Sequence, residues 1–273
     1  MRKILIPIDF TPSTRKAAVY AMRLFSKEPV QFILLSSYNH IEHNPTELKI
    51  LALRGKMKID TIDLLKAEVR ALEHEQKHVD SFFETWDEFG EMDEVINNHV
   101  TKFSVDYIFL GLHGTTGNQK LAAKLKTSGA LGRLNCPVIL VPESFDHSKP
   151  RRIVLALDSQ SIIEKEIYSP LLSLAKKFNS SFVALYAING SVTPEDRHQK
   201  IALRKILGTK LDSFIFLQSK NAVDSIDGYL YLHSVDLLAV PHRKSSLLKR
   251  YFKKNMLDKL VSFTDVPLLT LQR

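Results

Sequence analysis

Asp106-Tyr-Ile-Phe-Leu-Gly111-Leu-His113-Gly114, followed after a polar-basic stretch by Cys136-Pro137-Val-Ile-Leu-Val141, is written a second time in this chain. The second copy is Asp236-Leu-Leu-Ala-Val-Pro241, a basic stretch, and Val266-Pro267-Leu-Leu-Thr-Leu271. The step from Asp106 to Pro137 equals the step from Asp236 to Pro267. A strand, loop, helix and strand repeated at fixed length implies two homologous domains. Only the first copy has a glycine loop, the kind of loop that lets backbone N–H groups face an anion.

Working outward, each half opens on a matching strand. Lys3-Ile-Leu-Ile-Pro-Ile-Asp9 corresponds to Arg152-Ile-Val-Leu-Ala-Leu-Asp158. Both are nearly continuous apolar runs, the pattern of strands buried on two faces of a parallel sheet. Thr11-Pro12 then gives a cap and a first-turn proline, and Ala17, Ala18, Ala21, Met22 and Phe25 recur at helical spacing. The second half predicts a helix over 161–178, with Pro170 as a kink or restart point. Strands follow at 30–35 and 181–186, helices at 46–78 and 195–207, strands at 79–85 and 213–217, and helices at 92–103 and 222–233. Alternating strands and helices predict an α/β fold of two tandem doubly wound parallel-sheet domains, Rossmann-like. The polar, proline-bearing segment 143–150 is the natural linker, giving domains over 1–145 and 151–273.

The chain of 273 residues is long enough for two such cores. Its hydrophobic content of 44% and charged content of 25% are ordinary for a globular protein. No apolar run approaches the roughly 18 residues of a membrane helix, and Pro7 and Asp9 break the short N-terminal run, so no signal peptide is read. A single cysteine, Cys136, excludes an internal disulfide and a cysteine-rich metal site. The expected location is cytoplasmic, with no membrane partner. Net charge of +8 admits anionic partners. No recognition helix or RNA-binding aromatic motif accompanies it, so a solvated basic surface is the expectation and nucleic acid is not an expected partner.

These six blocks, in order and in two copies, resemble the universal stress protein family in its tandem two-domain form. The resemblance implies five-stranded parallel sheets of the adenine nucleotide alpha hydrolase-like kind, with helices on both faces and domains that pair through their last strands. It also implies a role in stress response. Part of that family binds ATP through Gly-x-x-Gly, nine residues, then Gly followed by Ser or Thr. Here Gly111 and Gly114 match, with His113 as a common variant, but the later pair is Lys124-Leu125. Lys124 offers a mobile positive charge to a phosphate in place of backbone donors, and Thr127 and Ser128 are the nearby hydroxyls. The resemblance assigns adenine or ribose contact to Asp9 and main-chain contact to Ser37. The second half has Pro241 and Lys244 at the glycine positions and Lys254-Asn255 at the late pair, while Asp158 persists. The structural alternative is that Gly111 serves the turn out of its strand and that Asp9 and Asp158 cap the helices after them.

Three other patterns were weighed. His74-Glu75-Gln76-Lys77-His78 matches the His-Glu-x-x-His string of zinc proteases, but its charged neighbours read as a solvated face and no third ligand follows. His40 and His43 read as loop residues. The basic run from Arg243 to Lys254, with Tyr251 and Phe252, reads as a solvated surface whose aromatics pack inward. Cys136 reads as a small buried apolar residue rather than a nucleophile.

The primary expectation is a non-catalytic stress-response protein that binds a protein partner or small ligand, with weak or no nucleotide binding and no metal. The alternative is an ATP-binding switch using the first domain only, through Asp9, Ser37, Gly111, His113, Gly114 and Lys124. An enzyme reading, slow ATP hydrolysis or zinc hydrolysis, ranks below both. Pairing of the two domains and a homodimer are the expected associations.

Overall fold

The computed structural model describes residues 1–38, 47–75, 81–112, 131, 134, 136–145, 149–159, 161, 163–188, 190–218, 221–241 and 256–272. Contacts divide the chain into two compact units, Met1–Ala130 and Leu131–Arg273.

The first unit runs β1 (Arg2–Pro7), α1 (Pro12–Leu24), β2 (Val30–Tyr38), α2 (Glu47–Glu75), β3 (Ser81–Phe89), α3 (Met92–Phe103) and β4 (Tyr107–Leu112). Its strands lie in the order β3-β2-β1-β4, each pair parallel. The buried runs in β1 and β4 are continuous, as a strand covered on both faces requires. Thr11 caps α1 and Pro12 opens it, and Ala17, Ala18, Ala21, Met22 and Phe25 are all buried. Phe25 lies 5.6 Å from Tyr107 and 6.2 Å from Phe109, ring to ring, so α1 is seated on β4 by aromatic packing. Arg2 covers the outer end of this cluster, with its guanidinium 5.1 Å from the Phe25 ring and its Nε 3.1 Å from Glu28.

Helix α2 buries Leu65, Glu68 and Leu72, one face at helical spacing. The buried carboxylate of Glu68 is matched by a two-point pair with the Arg15 guanidinium of α1. That pair lets a charged residue occupy an inward position. Strand β3 is longer than the predicted 79–85 because Trp86 and Phe89 continue the strand chemistry. It ends at Gly90, whose φ of 144° an L side chain rarely adopts and where a Cβ would come 3.3 Å from Val95.

The second unit runs β5 (Val138–Pro142), β6 (Arg152–Asp158), α4 (Lys165–Phe178), β7 (Ser181–Ile188), α5 (Pro194–Leu207), a short 3-10 turn (Gly208–Lys210), β8 (Leu211–Gln218), α6 (Ala222–Leu232), β9 (Leu237–Pro241), α7 (Met256–Phe263) and β10 (Leu268–Leu271). The order is β5-β10-β9-β6-β7-β8. Five of these strands are parallel, and β5 joins β10 antiparallel. The last strand of the first sequence repeat therefore pairs with the last strand of the second, within one unit. Gln272 supports the junction by donating from Nε2 to the Leu131 carbonyl at 2.7 Å. Helix α4 begins at Lys165, later than predicted, and continues through Pro170 as one element rather than restarting there.

One device recurs at the start of the duplicated half-unit. Asp106 Oδ2 accepts from the Lys3 N–H at 2.8 Å, and the Asp106 N–H donates to the Lys3 carbonyl. Asp236 Oδ2 accepts from the N–H groups of both Arg151 and Arg152 at 2.9 Å, and its own N–H donates to the Arg152 carbonyl. Each aspartate ties the start of one strand to its parallel neighbour, β4 to β1 and β9 to β6, fixing register where no turn can do so. Substituting either by Ala is expected to lower stability by on the order of 1 kcal/mol. Asp236→Ala should cost more than Asp106→Ala, because it releases two N–H groups rather than one. Urea unfolding of the two variants checks the order.

Candidate functional site

In an open parallel sheet, ligands bind outside the carboxyl ends of the strands where the strand order reverses direction. In the first unit that point lies between β1 and β4, since β2 follows on one side of β1 and β4 lies on the other. The register pairs Pro7 with Leu35, and Ile4 with Tyr107. Continued upward, it places Asp9 level with Ser37, and Gly111 level with Ile8. Three residues singled out from the sequence, Asp9, Ser37 and Gly111, thus meet at one end of one sheet. His113, Gly114 and Lys124 lie outside the described residues, as do His40, His43, His78 and the basic run 243–254.

Asp9 is half-buried, and its Oδ1 faces the start of α1. It accepts from the Thr11 N–H at 3.1 Å, the Thr11 hydroxyl at 2.6 Å and the Thr14 hydroxyl at 3.0 Å. A carboxylate there also meets the favourable end of the helix dipole. Asp9 therefore braces the capping residue Thr11 and does not itself occupy the cap. Phe10, between them, has φ of 60° and is 36% exposed. A bulky residue held in the left-handed region is strained, and the Asp9–Thr11 bonds clamp it on either side. Nothing in the sequence marked Phe10; the signal is conformational.

Gly111 has a clear steric requirement. A Cβ there would stand 2.4 Å from the Ser13 carbonyl oxygen and 2.5 Å from the Ser13 Oγ. The first turn of α1 packs directly on the β4 backbone, and only glycine permits the approach. Ser13 is fully buried, and its hydroxyl has no hydrogen-bond partner in that contact. The described geometry accounts for Gly111 by helix–strand packing, and no phosphate is needed to explain it.

The second unit has the corresponding crevice between β6 and β9. Pro7 pairs with Leu35 as Ala156 pairs with Leu185, so Tyr186 takes the place of Ser36, and Ala187 that of Ser37. Asp158 does not cap the following helix, contrary to the structural expectation. Its Oδ1 accepts from the Ser161 hydroxyl, and its N–H donates to Ser161 Oγ, both at 2.9 Å, closing a turn. Helix α4 starts seven residues after Asp158 (165 − 158), whereas α1 starts three after Asp9 (12 − 9). The helix start that forces glycine at 111 is thus displaced in the second unit, and Pro241 stands at the equivalent place at the end of β9.

Tyr186 is fully buried. Burial holds its phenol well above the ordinary range, and interaction with Asp196 and the charges of Asp158 and Glu195 add to the effect. Asp196 lies at the start of α5 in a capping box, accepting from the Thr193 N–H at 2.8 Å and the Thr193 hydroxyl at 2.7 Å. Those bonds hold its carboxyl below the ordinary carboxylate range. The Tyr186 ring lies on the β8 side of β7, 5.6 Å from Phe214 and 5.8 Å from Phe216.

Cys136 is buried, with Sγ 3.7 Å from the Pro137 carbonyl oxygen. His74 is exposed in the last turn of α2. Among the described residues, no group of three or more His, Cys, Asp or Glu is placed to hold a metal, and no helix is long and apolar enough to cross a membrane.

The family model for the universal stress protein family matches residues 1–142, more than half of the chain. The chain belongs to the universal stress protein family. Solved structures agree on the fold. A universal stress protein from Archaeoglobus fulgidus superposes with a TM-score of 0.67 at 12% identity, over 99% of this chain and 98% of that one. A structure described as a putative universal stress protein from Pseudomonas aeruginosa gives 0.60 at 12% identity, over 100% and 93%. The cytoplasmic domain of a prokaryotic cation chloride cotransporter gives 0.55 at 11% identity, over 99% and 95%. At such identities the likeness is one of fold. No curated protein sequence matches the chain.

Two outcomes are expected of substitutions in these crevices. Gly111→Ala should cost about 1–3 kcal/mol through overpacking against the α1 backbone, measured by urea unfolding without any ligand. Asp196→Asn should be less stable than the parent at neutral pH. The folded-state pKa of Asp196 is lowered, so its contribution is present above the unfolded carboxylate pKa and is lost as pH falls through the folded value. The gap between parent and variant should therefore narrow on acidification, as followed by melting temperature against pH.

Proposed function

We propose that this universal stress protein is a non-catalytic stress-response protein whose first-unit crevice takes a small ligand or a partner's side chain without a nucleotide-phosphate grip. The observation that carries this reading is the use the fold makes of its two most ligand-like residues. Asp9 braces the start of α1 through three hydrogen bonds, and Gly111 is taken up by the Ser13 backbone. In the second unit Pro241 stands where glycine stood and Asp158 closes a turn with Ser161, so that crevice lacks the glycine approach.

The ATP-switch reading has one observation in its favour, the convergence of Asp9, Ser37 and Gly111 at the switch point of the first sheet. In that reading Asp9 and Ser37 hold the adenosine, and Gly111 with His113, Gly114 and Lys124 holds the phosphates. The described residues suit the adenosine end and supply no phosphate donor of their own.

Thermal melting with magnesium and ATP separates the two readings. The expected result is an unchanged midpoint for the parent chain. A rise that disappears in Asp9→Ala, relative to that variant's own ligand-free midpoint, would establish the ATP switch and overturn the proposal. Steady-state phosphate release should stay at the buffer rate; turnover that tracks the protein would overturn the non-catalytic part.

A further inference from the structure

The two edge strands of this protein differ in chemistry and complement each other. Strand β8 ends its sheet among the described residues. Its stretch Ser213-Phe-Ile-Phe-Leu217 has no charged residue, and all five positions are half-exposed. A long apolar edge is a template for another strand, and soluble proteins usually guard such an edge with charge or proline. Here the charges at the strand are Asp212 at its start and a cation over its face. Lys200 of α5 places its Nζ 5.7 Å from the Phe214 ring and 5.9 Å from the Phe216 ring. From Arg197 to Lys210 the chain has five Lys or Arg and no carboxylate, with Glu195, Asp196 and Asp212 flanking that span, so the apolar stretch of β8 follows a basic helix and one carboxylate at the strand start.

Strand β3 ends the other sheet among the described residues. It is of similar length, nine residues against eight. Phe82 and Phe89 are 47% and 43% exposed, and Glu84, Asp87 and Glu88 lie along it. Between Lys77 and Lys102 there are seven carboxylates and no Lys or Arg, in a chain whose net charge is +8, and the cation at the strand is Lys102, 5.5 Å from the Trp86 ring. Like edges would set basic against basic or acidic against acidic, whereas unlike edges bring opposite charges together and cover aromatic side chains on both.

We propose that β8 of one copy pairs with β3 of a second copy, adding a strand to each sheet through backbone hydrogen bonds. The contact is heterologous, one copy contributing β8 and the other β3. Opposite charge makes it sensitive to salt, because exposed charges are screened within about 10 Å at 0.1 M.

Sedimentation velocity across a concentration series tests this. The parent chain should show mass growth beyond one chain at low salt, and the growth should diminish at high salt. Ile215→Glu puts a carboxylate in the β8 edge facing acidic β3, and Thr85→Lys puts a cation on the exposed face of β3 facing basic β8. Each alone should leave a single-chain species with the parent's circular dichroism, and the chain carrying both should associate again. If Ile215→Glu does not fold, Thr85→Lys and the salt series decide. A parent that stays a single chain at every concentration overturns the proposal. Association that persists in Thr85→Lys overturns it in favour of a β8–β8 pair, and persistence in Ile215→Glu overturns it in favour of a β3–β3 pair.

Discussion

The approach of the first turn of α1 to the backbone of β4 governs the first unit. With the Ser13 carbonyl pressed against Gly111, α1 lies close enough for Phe25 and Tyr20 to reach Tyr107 and Phe109. The same contact fixes where α1 begins, and so sets the short span from Asp9 to Pro12. In that span Asp9 can reach both Thr11 and Thr14, and Phe10 is forced to a positive φ. Packing, capping and strain at the carboxyl end of the sheet are consequences of one backbone contact. The second unit lacks it. Its helix starts later, its aspartate closes a turn with Ser161, and its strand ends in Pro241 where glycine stood.

The two units thus share a sheet plan and diverge at the place where the fold would bind a ligand. The register ties made by Asp106 and Asp236 are retained in both, because a parallel pair with no connecting turn needs an anchor for its alignment. The crevice residues are not retained. Small Ser36 and Ser37 of the first unit give way to Tyr186 and Ala187, and the Tyr186 ring packs on Phe214 and Phe216 of β8. The two units therefore keep the same register ties and differ in the residues at the carboxyl ends of their strands.

Much of the architecture was legible because its causes are local or periodic. Continuous apolar runs at 3–9 and 152–158, the Thr11-Pro12 start and the alanine stripe of α1 each report on their own burial or capping. Other features depend on residues far apart in the chain. The buried Glu68 of α2 is tolerated only because Arg15 of α1 reaches it. The helix does not restart at Pro170, and α4 runs through it as one element. At the carboxyl end of the first sheet, Asp9 braces the start of α1, and Gly111 lets the Ser13 backbone approach β4.

By itself the sequence determined the α/β class and the equal spacing of its two half-units, because these rest on periodicity and spacing that each segment carries within itself. The family rests on the resemblance of the ordered motifs and on the family-model match. Only the tertiary structure decided what the marked residues do. Whether a glycine faces an anion or a helix backbone, and whether a carboxylate is left for a ligand or spent on two threonines, depends on distances between segments far apart in the chain. Those distances are set by how α1 packs on β4, and no local pattern encodes them.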